Sequence, residues 1–509
     1  MATVATYDTI IVGSGAAGAI LAARLTEEPA RRVLLLEAGP DYPSVDALPD
    51  DLKYGYGTPA GILTTSHDWG YVAEATPHAH AMPTPRGRVM GGSSTVNAQV
   101  FLRGVPEDFD TWAGQGNDRW TFDRVLPYFR KLETDLDFAD DYHGHDGPIR
   151  VRRYGPDEWR PDQAAFYRAC RDAGFPDCPD HNRPHTTGTG PYPLNNDRRI
   201  RQSTLLCYLN PVRHRPNLTI VPNARVTRIL FHVKQTTGVA ARVAGKPAQF
   251  EAPEVILSAG AIGSPQLLML SGVGPAEQLR SLGIAMVADL PGVGKNLRDH
   301  PAGNMFWALA GDYAVDAQTH WHQVGLRYTA DGSPHPNDMI VYIGALPAER
   351  RLLLRPTVNL QASAGEVRLA SADPMAPPLI NFRYLSEPFD RERLRACVRL
   401  CRELVEGGAF AGIIGERIAP APDDFADDAA LDNWLMRTVS TGHHSSGACK
   451  MGPPTDPFAV VDQGGRVYGV EGLRVVDASI MPDCVRANTN ATVMMMAEYI
   501  ASMIGGDGR

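Results

Sequence analysis

Residues 7–37 read YDTIIVGSGAAGAILAARLTEEPARRVLLLE. The apolar run at 7–12 predicts a buried β-strand, and the sequence GSGAAG at 13–18 follows it at once. Residues 19–25 have the spacing of a helix, and a second apolar run at 32–37 ends in an acid. Strand, glycine turn, helix, strand and acid in this order predict a dinucleotide-binding βαβ unit rather than a chance GxGxxG.

Each glycine of this turn has a separate physical role. Gly13 permits the tight turn, Gly15 lets the backbone approach a pyrophosphate, and Gly18 lets the helix pack closely on the strand. The amide groups and dipole of the helix N-terminus favour the anion. Glu37 lies where a carboxylate accepts hydrogen bonds from the adenosine ribose, and it would repel a 2′-phosphate. NADP is therefore disfavoured, while FAD and NAD both remain open at this point.

Composition narrows the class of protein. The 509 residues are 43% hydrophobic and 21% charged, as is usual for a soluble globular chain. The 49 basic residues are outnumbered by 58 acidic ones and are scattered, which argues against a nucleic-acid partner. With no apolar run of membrane-span length and no export signal at the N-terminus, we expect a cytoplasmic protein without a membrane span. Seven cysteines without a CxxC predict reduced thiols and no metal site.

Beyond residue 37 the pattern departs from a rapid βαβαβ repeat. Long loop-rich segments intervene, and no low-complexity linker divides the chain, so interleaved domains are expected. Strands are predicted at 218–221, 226–231, from 254 and from 472, and helices at 117–132, from 265, at 387–407, at 427–438 and at about 493–503.

Several further blocks accompany the N-terminal turn in a fixed order. They are Gly91-Gly92-Ser93-Ser94…Asn97-Ala98, Gly260…Ser264-Pro265…Ser271-Gly-Val-Gly274, Pro291-Gly-Val-Gly-Lys-Asn-Leu-Arg-Asp-His300, His444…Gly447, Val476-Asp477-Ala478-Ser479 and Asn488-Thr-Asn490. Together they resemble the glucose–methanol–choline (GMC) oxidoreductase family of FAD enzymes, and the C-terminal part looks most like its choline dehydrogenase-like branch. The resemblance selects FAD over NAD.

The resemblance implies an α/β fold with an α+β second domain. A Rossmann-like FAD-binding domain would comprise residues 1–150, 215–300 and 440–509. It would be interleaved with a substrate domain, an antiparallel sheet covered by helices, comprising 151–214 and 301–439. The implied activity is FAD-dependent oxidation of an alcohol to an aldehyde or ketone by hydride transfer to flavin N5.

The resemblance also implies the catalytic residues. The family's catalytic His precedes a Gly by three residues, which selects His444 as the base and leaves His443 as a structural alternative. Imidazole suits this role because its pKa lies near the working pH. If the two were adjacent strand residues they would face opposite sides, so only one would reach the substrate. The partner position falls on Asn490, which could orient the alcohol oxygen or simply cap the last helix.

Many residues are expected at the cofactor. They are Gly13, Ser14, Gly15, Ala16, Ala17, Gly18, Glu37, Ala38, Val89, Gly92, Ser93, Asn97, Ala98, Gln99, Val100, Val226, Ala259, Gly260, Asp477, Ala478, Asn490, Ala491 and Thr492. Some family members tether FAD through a His at the position of Val96, so non-covalent FAD is expected here. The N-terminus of the last helix would stabilise the negative charge of the reduced flavin.

The sequence indicates less about the substrate and the electron acceptor than about the cofactor. O₂, a quinone or another carrier could reoxidise the flavin, with a slight preference for a dehydrogenase. A lyase or a photodecarboxylase on the same scaffold is the alternative function. The aromatic residues Trp69, Phe306, Trp307, Trp321 and Trp434 suggest an apolar or aromatic alcohol, although buried aromatics are more often core. His320 and His322 could reach a substrate, with a surface loop as the alternative.

Overall fold

A parallel sheet of five strands forms the first half of the molecule. The computed structural model describes residues 7–54, 66–311, 313–314 and 319–506. Across this sheet the strands run in the order Leu218–Val221, Val33–Leu36, Thr9–Val12, Glu254–Leu257 and Leu473–Val475. All neighbours are parallel. Parallel strands are covered on both faces, and the fully buried Thr9–Val12 and Val33–Leu36 follow this rule.

Helices cover this sheet. Gly18–Leu25 follows the first strand directly, as predicted, and packs against the final helix, Thr489–Gly506. That final helix begins four residues before the predicted start, so Asn490 lies in its first turn and does not precede it. The predicted helix 117–132 begins only at Phe122. Asn117 and Asp118 lie in a turn instead, the setting that such side chains favour.

An eight-stranded, largely antiparallel sheet forms the second half. Its main path runs through Ile414–Ala419, Met305–Leu309, Arg351–Val358, Met339–Leu346, Val324–Tyr328 and Gly188–Pro191, with Pro301–Ala302 and Ser440–Thr441 attached to it. The helices Pro161–Asp172 and Pro388–Glu406 pack on its strands. Tyr342 is paired with Arg355 and therefore shares its face of the sheet.

The remaining elements are shorter or peripheral. A three-stranded sheet comprises Ala224–His232, Gln235–Val243 and Lys246–Glu251. Other strands are Val72–Ala73, Met82–Pro83, Glu133–Asp135, Ile149–Val151, Asn196–Asp197, Ile200–Arg201, Val273–Gly274, Ala288–Asp289, Glu366–Arg368 and Leu379–Asn381. Other helical segments are Asp50–Lys53, Gly92–Thr95, Pro106–Gly114, Phe122–Leu132, Leu205–Leu209, Asn210–Val212, Gly260–Leu270, Ala276–Ser281, Pro347–Glu349, Pro422–Phe425, Asp428–Thr438 and Ala478–Ile480.

The predicted fold class is confirmed. The parallel sheet takes strands from both ends and the middle of the chain, and the antiparallel sheet uses the segments between them. Ser440–Thr441 pairs with Pro301–Ala302 in the antiparallel sheet, although residue 440 falls in the segment assigned to the FAD domain. Among the described helices, none has the length and apolar character needed to cross a membrane.

Candidate active site

A continuous cavity runs from the glycine turn of the parallel sheet to the antiparallel sheet. Most of the predicted site residues line it: Gly13, Gly15, Ala16, Ala17, Glu37, Ala38, Gly92, Ser93, Asn97, Ala98, Gln99, Val100, Val226, Ala259, Gly260, His444, Asp477, Ala478 and Asn490. Their convergence from distant parts of the chain follows from the position of the loops at one edge of a parallel sheet.

Five predicted residues lie outside the described cavity lining. They are Ser14, Gly18, Val89, Ala491 and Thr492. Ser14 donates its hydroxyl to Glu37 at 2.7 Å, and Thr492 accepts the Gly104 amide through its Oγ1 at 3.3 Å. Both are fully buried, so these side chains support the wall of the cavity from behind.

The glycine turn has the shape needed for a dinucleotide. Gly13 has φ +95°, and a Cβ there would come 2.5 Å from the Ser258 carbonyl oxygen. A Cβ on Gly18 would collide with the Gly13 carbonyl. The helix can therefore lie this close to the turn only because residue 18 has no side chain. The cradle between Gly15 and Gly92 is also tight, since a Cβ on Gly92 would lie 2.7 Å from the Gly15 Cα. These positions fit the pyrophosphate of FAD.

Two buried carboxylates hold the loops at the cofactor end. Glu37 accepts the Ser14 amide at 3.0 Å and the Gly39 amide at 2.8 Å. Asp477 accepts the Gly260 amide at 2.9 Å and hydroxyl hydrogen bonds as well. Burial raises the pKa of both carboxyls, although these hydrogen bonds oppose the shift.

His444 makes hydrogen bonds through both ring nitrogens at the other end of the cavity. Its Nδ1 lies 2.9 Å from Nδ1 of His300, and its Nε2 lies 2.9 Å from Nδ2 of Asn488. The Asn488 Oδ1 accepts the Tyr342 hydroxyl at 3.3 Å, which turns the amide nitrogen towards the imidazole. With Asn488 donating, Nε2 is the unprotonated nitrogen and the proton is on Nδ1, facing His300.

The electrostatic surroundings of His443 and His444 keep both imidazoles neutral. Burial lowers the pKa of His444 well below its usual value, and His300, Arg86 and Arg355 lower it further. Burial also lowers the pKa of His443, and the positive charges of Arg355 and Arg86 lower it further. A neutral imidazole is the form that can accept a proton.

A buried carboxylate fixes the loop that carries His444. Asp299 Oδ1 accepts the backbone amides of His444 at 2.7 Å and His300 at 2.8 Å. Its Oδ2 accepts the hydroxyls of Tyr384, at 2.7 Å, and Thr441. Asp299 is fully buried and orients the backbone without touching either imidazole ring through its carboxylate.

The expectation that His443 and His444 alternate on a strand is wrong. The strand Ser440–Thr441 ends before them, and His443 has φ +69°. The chain therefore turns, and both imidazoles line the same cavity. Nδ1 of His443 has no hydrogen-bond partner among the described residues.

Asn490 lies in the cavity wall, in the first turn of the last helix. Its Nδ2 is buried and has no partner among the described residues, whereas the neighbouring Asn488 bonds both His444 and Tyr342. A buried amide without a hydrogen-bond partner is unfavourable, so we expect a bound ligand to accept a hydrogen bond from Nδ2 of Asn490.

The antiparallel sheet forms the roof of the cavity. Trp321, His322, Tyr342, Arg355 and Thr357 line it there, and the rings of Trp321 and His322 lie 3.6 Å apart. His320 and His322 are both buried, so the surface-loop interpretation is wrong.

The five predicted aromatics divide between cavity and core. Trp69 and Trp321 line the cavity. Trp307 and Trp434 are core residues, and Phe306 packs beside Trp321 and Leu353. The sequence predicts that the roof draws on residues around 59–70, 305–350 and 430–444, and of these 59–65, 312 and 315–318 lie outside the described residues.

Sequence reasoning did not assign roles to His300, Asp299, Asn488 or Arg355. Asp299 and His300 end the sequence block at 291–300, and Asn488 begins the block at 488–490. These blocks drew attention to the three residues, but the sequence does not tell which side chains they contact. Arg355 had a weaker signal: within residues 352–358 of the strand RLLLRPTV it is the one charged residue, and its neighbours on both sides are buried.

Comparison with known proteins agrees with this architecture. Two family models described as GMC oxidoreductase match residues 7–302 and 361–497. Mitochondrial choline dehydrogenase of Mus musculus is 38% identical, with 98% of this chain and 89% of that protein covered. The 5-(hydroxymethyl)furfural oxidase of Methylovorus sp. is 38% identical, with 98% of both chains covered. The crystal structure of pyridoxine 4-oxidase from Mesorbium loti superposes with a TM-score of 0.91 at 32% identity, covering 98% and 99% of the two chains.

Proposed function

This chain belongs to the GMC oxidoreductase family and is an FAD-dependent alcohol oxidoreductase, and we propose that His444 is the base that removes the hydroxyl proton of its substrate. The observation that carries the proposal is the hydrogen-bond pattern of the ring. Nδ1 faces His300 and Nε2 accepts from Asn488, so the basic nitrogen is Nε2. His300 would stabilise the imidazolium through the Nδ1 proton after Nε2 has accepted the second one.

Asn490 is proposed to hold the alcohol oxygen. Its buried, unpartnered Nδ2 can donate to that oxygen, while its position in the first helical turn keeps it close to the amide end of the helix dipole. An amide orients the oxygen without taking its proton, which leaves proton removal to His444.

The cofactor site supports non-covalent FAD, which when bound would supply the hydride acceptor of the reaction. Gly13, Gly15 and Gly92 would hold the diphosphate, and Glu37 the adenosine ribose. Val96 lines the cavity where some relatives carry a tethering His. Acid precipitation of the holoenzyme should therefore leave the yellow flavin in the supernatant, and flavin in the protein pellet would contradict this proposal.

The decisive experiment is anaerobic reduction of the bound flavin by an alcohol, monitored through the flavin absorption near ~450 nm. We expect His444→Ala to retain FAD and to lower the rate of bleaching by about 10²–10⁴-fold. The matched control is His232→Gln, an exposed histidine at the end of a strand. Unchanged bleaching in His444→Ala would show that another group is the base.

The same experiment addresses the alternative function. A lyase or photodecarboxylase would show no bleaching with any alcohol, whereas the relatives named above are a dehydrogenase and two oxidases. For the electron acceptor we propose O₂ or a quinone-like carrier. Oxygen consumption compared with quinone reduction under anaerobic conditions distinguishes these acceptors.

A further inference from the structure

Two guanidinium groups line the cavity near the proposed base, and they differ in how many of their donors are used. Arg86 donates to the Pro85 carbonyl at 2.7 Å and to the Ser445 hydroxyl, and its backbone amide bonds Asp68. Arg355 makes one described side-chain hydrogen bond, from Nη2 to the Thr441 carbonyl at 2.7 Å. Its Nε is buried without a partner among the described residues.

Arg355 lacks an acidic partner of its own. No described carboxylate lies within ion-pair distance of its guanidinium, and the acid that acts on it from farther away is Asp299. Asp299 already accepts four hydrogen bonds, from two backbone amides and two hydroxyls. A half-buried guanidinium that donates to one carbonyl and has a buried, unpartnered Nε has donors and charge left for an anion.

The rest of the described cavity lining offers a cation no free carboxylate. Within the described ranges the only acids in its lining are Glu37 and Asp477. Both are at the cofactor end and are bonded to loop amides and hydroxyls. The histidines that line the roof and the catalytic end, His322, His443 and His444, have lowered pKa values and are neutral.

The surroundings of Arg355 also indicate the shape of the ligand. Tyr342 is its cross-strand neighbour, and the flat rings of Trp321 and His322 line the same roof. Such surfaces favour a planar, unsaturated ring. Arg355 donates to the carbonyl of Thr441, three residues before His444, and both Arg355 and His444 line the cavity, so a small ring could join a carboxylate at one residue to a carbinol at the other.

We propose that Arg355 binds a carboxylate of the substrate, so that the alcohol oxidised here is a hydroxymethyl-substituted aromatic acid rather than a cationic alcohol. Arginine suits this role because its planar donors match a carboxylate. The proposal rests on the assignment of the alcohol-oxidising site above and specifies its substrate class.

The test compares two substrates of nearly equal shape, 4-(hydroxymethyl)benzoate and 4-(hydroxymethyl)benzamide, on the FAD holoenzyme. We expect kcat/KM to favour the acid by about tenfold or more, mainly through KM. In Arg355→Met that ratio should fall towards one, and Arg355→Lys should recover part of it. Arg351→Met is the matched control, since Arg351 is exposed on the same strand, and it should keep the wild-type ratio.

A binding measurement separates recognition from turnover. Titration of the holoenzyme with 4-methylbenzoate, which has no alcohol to oxidise, should perturb the flavin absorption in wild type and not in Arg355→Met. Equal use of acid and amide by the wild type, or equal losses for both in Arg355→Met, would overturn the carboxylate proposal while leaving alcohol oxidation intact. Failure of every alcohol to bleach the flavin would instead refute the proposed function.

Discussion

Two buried histidine clusters in this molecule show opposite protonation. His143 is fully buried and its ring contacts Glu133, Asp135 and Asp180 at 2.9–3.0 Å. Burial lowers its pKa, but hydrogen bonds with these acids outweigh burial and raise the pKa to about 10. His444 is equally enclosed, yet its ring contacts are His300 and Asn488, and its pKa is lowered.

Acidic partners, rather than burial, therefore decide the protonation of these two histidines. The His143 cluster also contains Arg103 and Arg153, which pair with Glu133 and Asp135. Glu133, Asp135 and His143 have the spacing of a metal site, but these arginines use the carboxylates and His143 is protonated. The cluster is therefore a structural ion-pair network, whereas the His444 cluster keeps a neutral imidazole whose Nε2 accepts a hydrogen bond from a neutral amide.

The first prediction removes the histidine of the structural cluster. His143→Gln removes a positive charge from among three buried carboxylates, and we expect the free energy of unfolding to fall by about 3–5 kcal/mol. Denaturant titration measures this loss. The control is His185→Gln, which removes an exposed pair with Glu107 and should cost about 0–1 kcal/mol. Equal losses in both variants would contradict the comparison.

The second prediction gives His444 an acidic partner of the kind that His143 has. Asn488→Asp places a carboxylate beside Nε2 of His444, which should raise the pKa of the imidazole and leave it protonated at neutral pH. We expect kcat/KM at pH 7 to fall by about tenfold or more and to recover as the pH rises. Asn488→Ala removes the hydrogen bond without adding charge and should show no such recovery. A pH profile that is the same in both variants would refute the electrostatic account.

The third prediction concerns how the stability of the protein depends on pH. The folded pKa of His143 is raised from 6.5 to about 10, so its contribution is fully present below pH 6.5 and is lost as the pH rises towards 10. In that window one proton leaves on unfolding, which gives a slope of up to about −1.4 kcal/mol per pH unit. His143→Gln should remove this share of the slope in denaturant titrations at several pH values. An unchanged slope would mean that other groups carry it.

Local patterns predicted much of this fold. The runs at 7–12, 32–37 and 218–221 became neighbouring parallel strands because continuous apolar residues can be buried on both faces. The ends of elements were harder, as the final helix shows, because Asn490 is compatible with both a cap and a first turn. The position of His443 was missed because a positive φ on a non-glycine residue leaves no sequence pattern.

Short motifs in fixed order were enough to predict the dinucleotide turn, the class of fold and which imidazole is the candidate base. The packing of the two sheets was needed to bring His444 to His300 and Asn488, and to place Arg355 in the cavity without an acidic partner among the described residues. The His444 contacts with Asn488 and His300 join residues that are 44 and 144 positions apart in the chain. Protonation depends on such neighbours, and neighbours at that separation are set by how the two sheets pack.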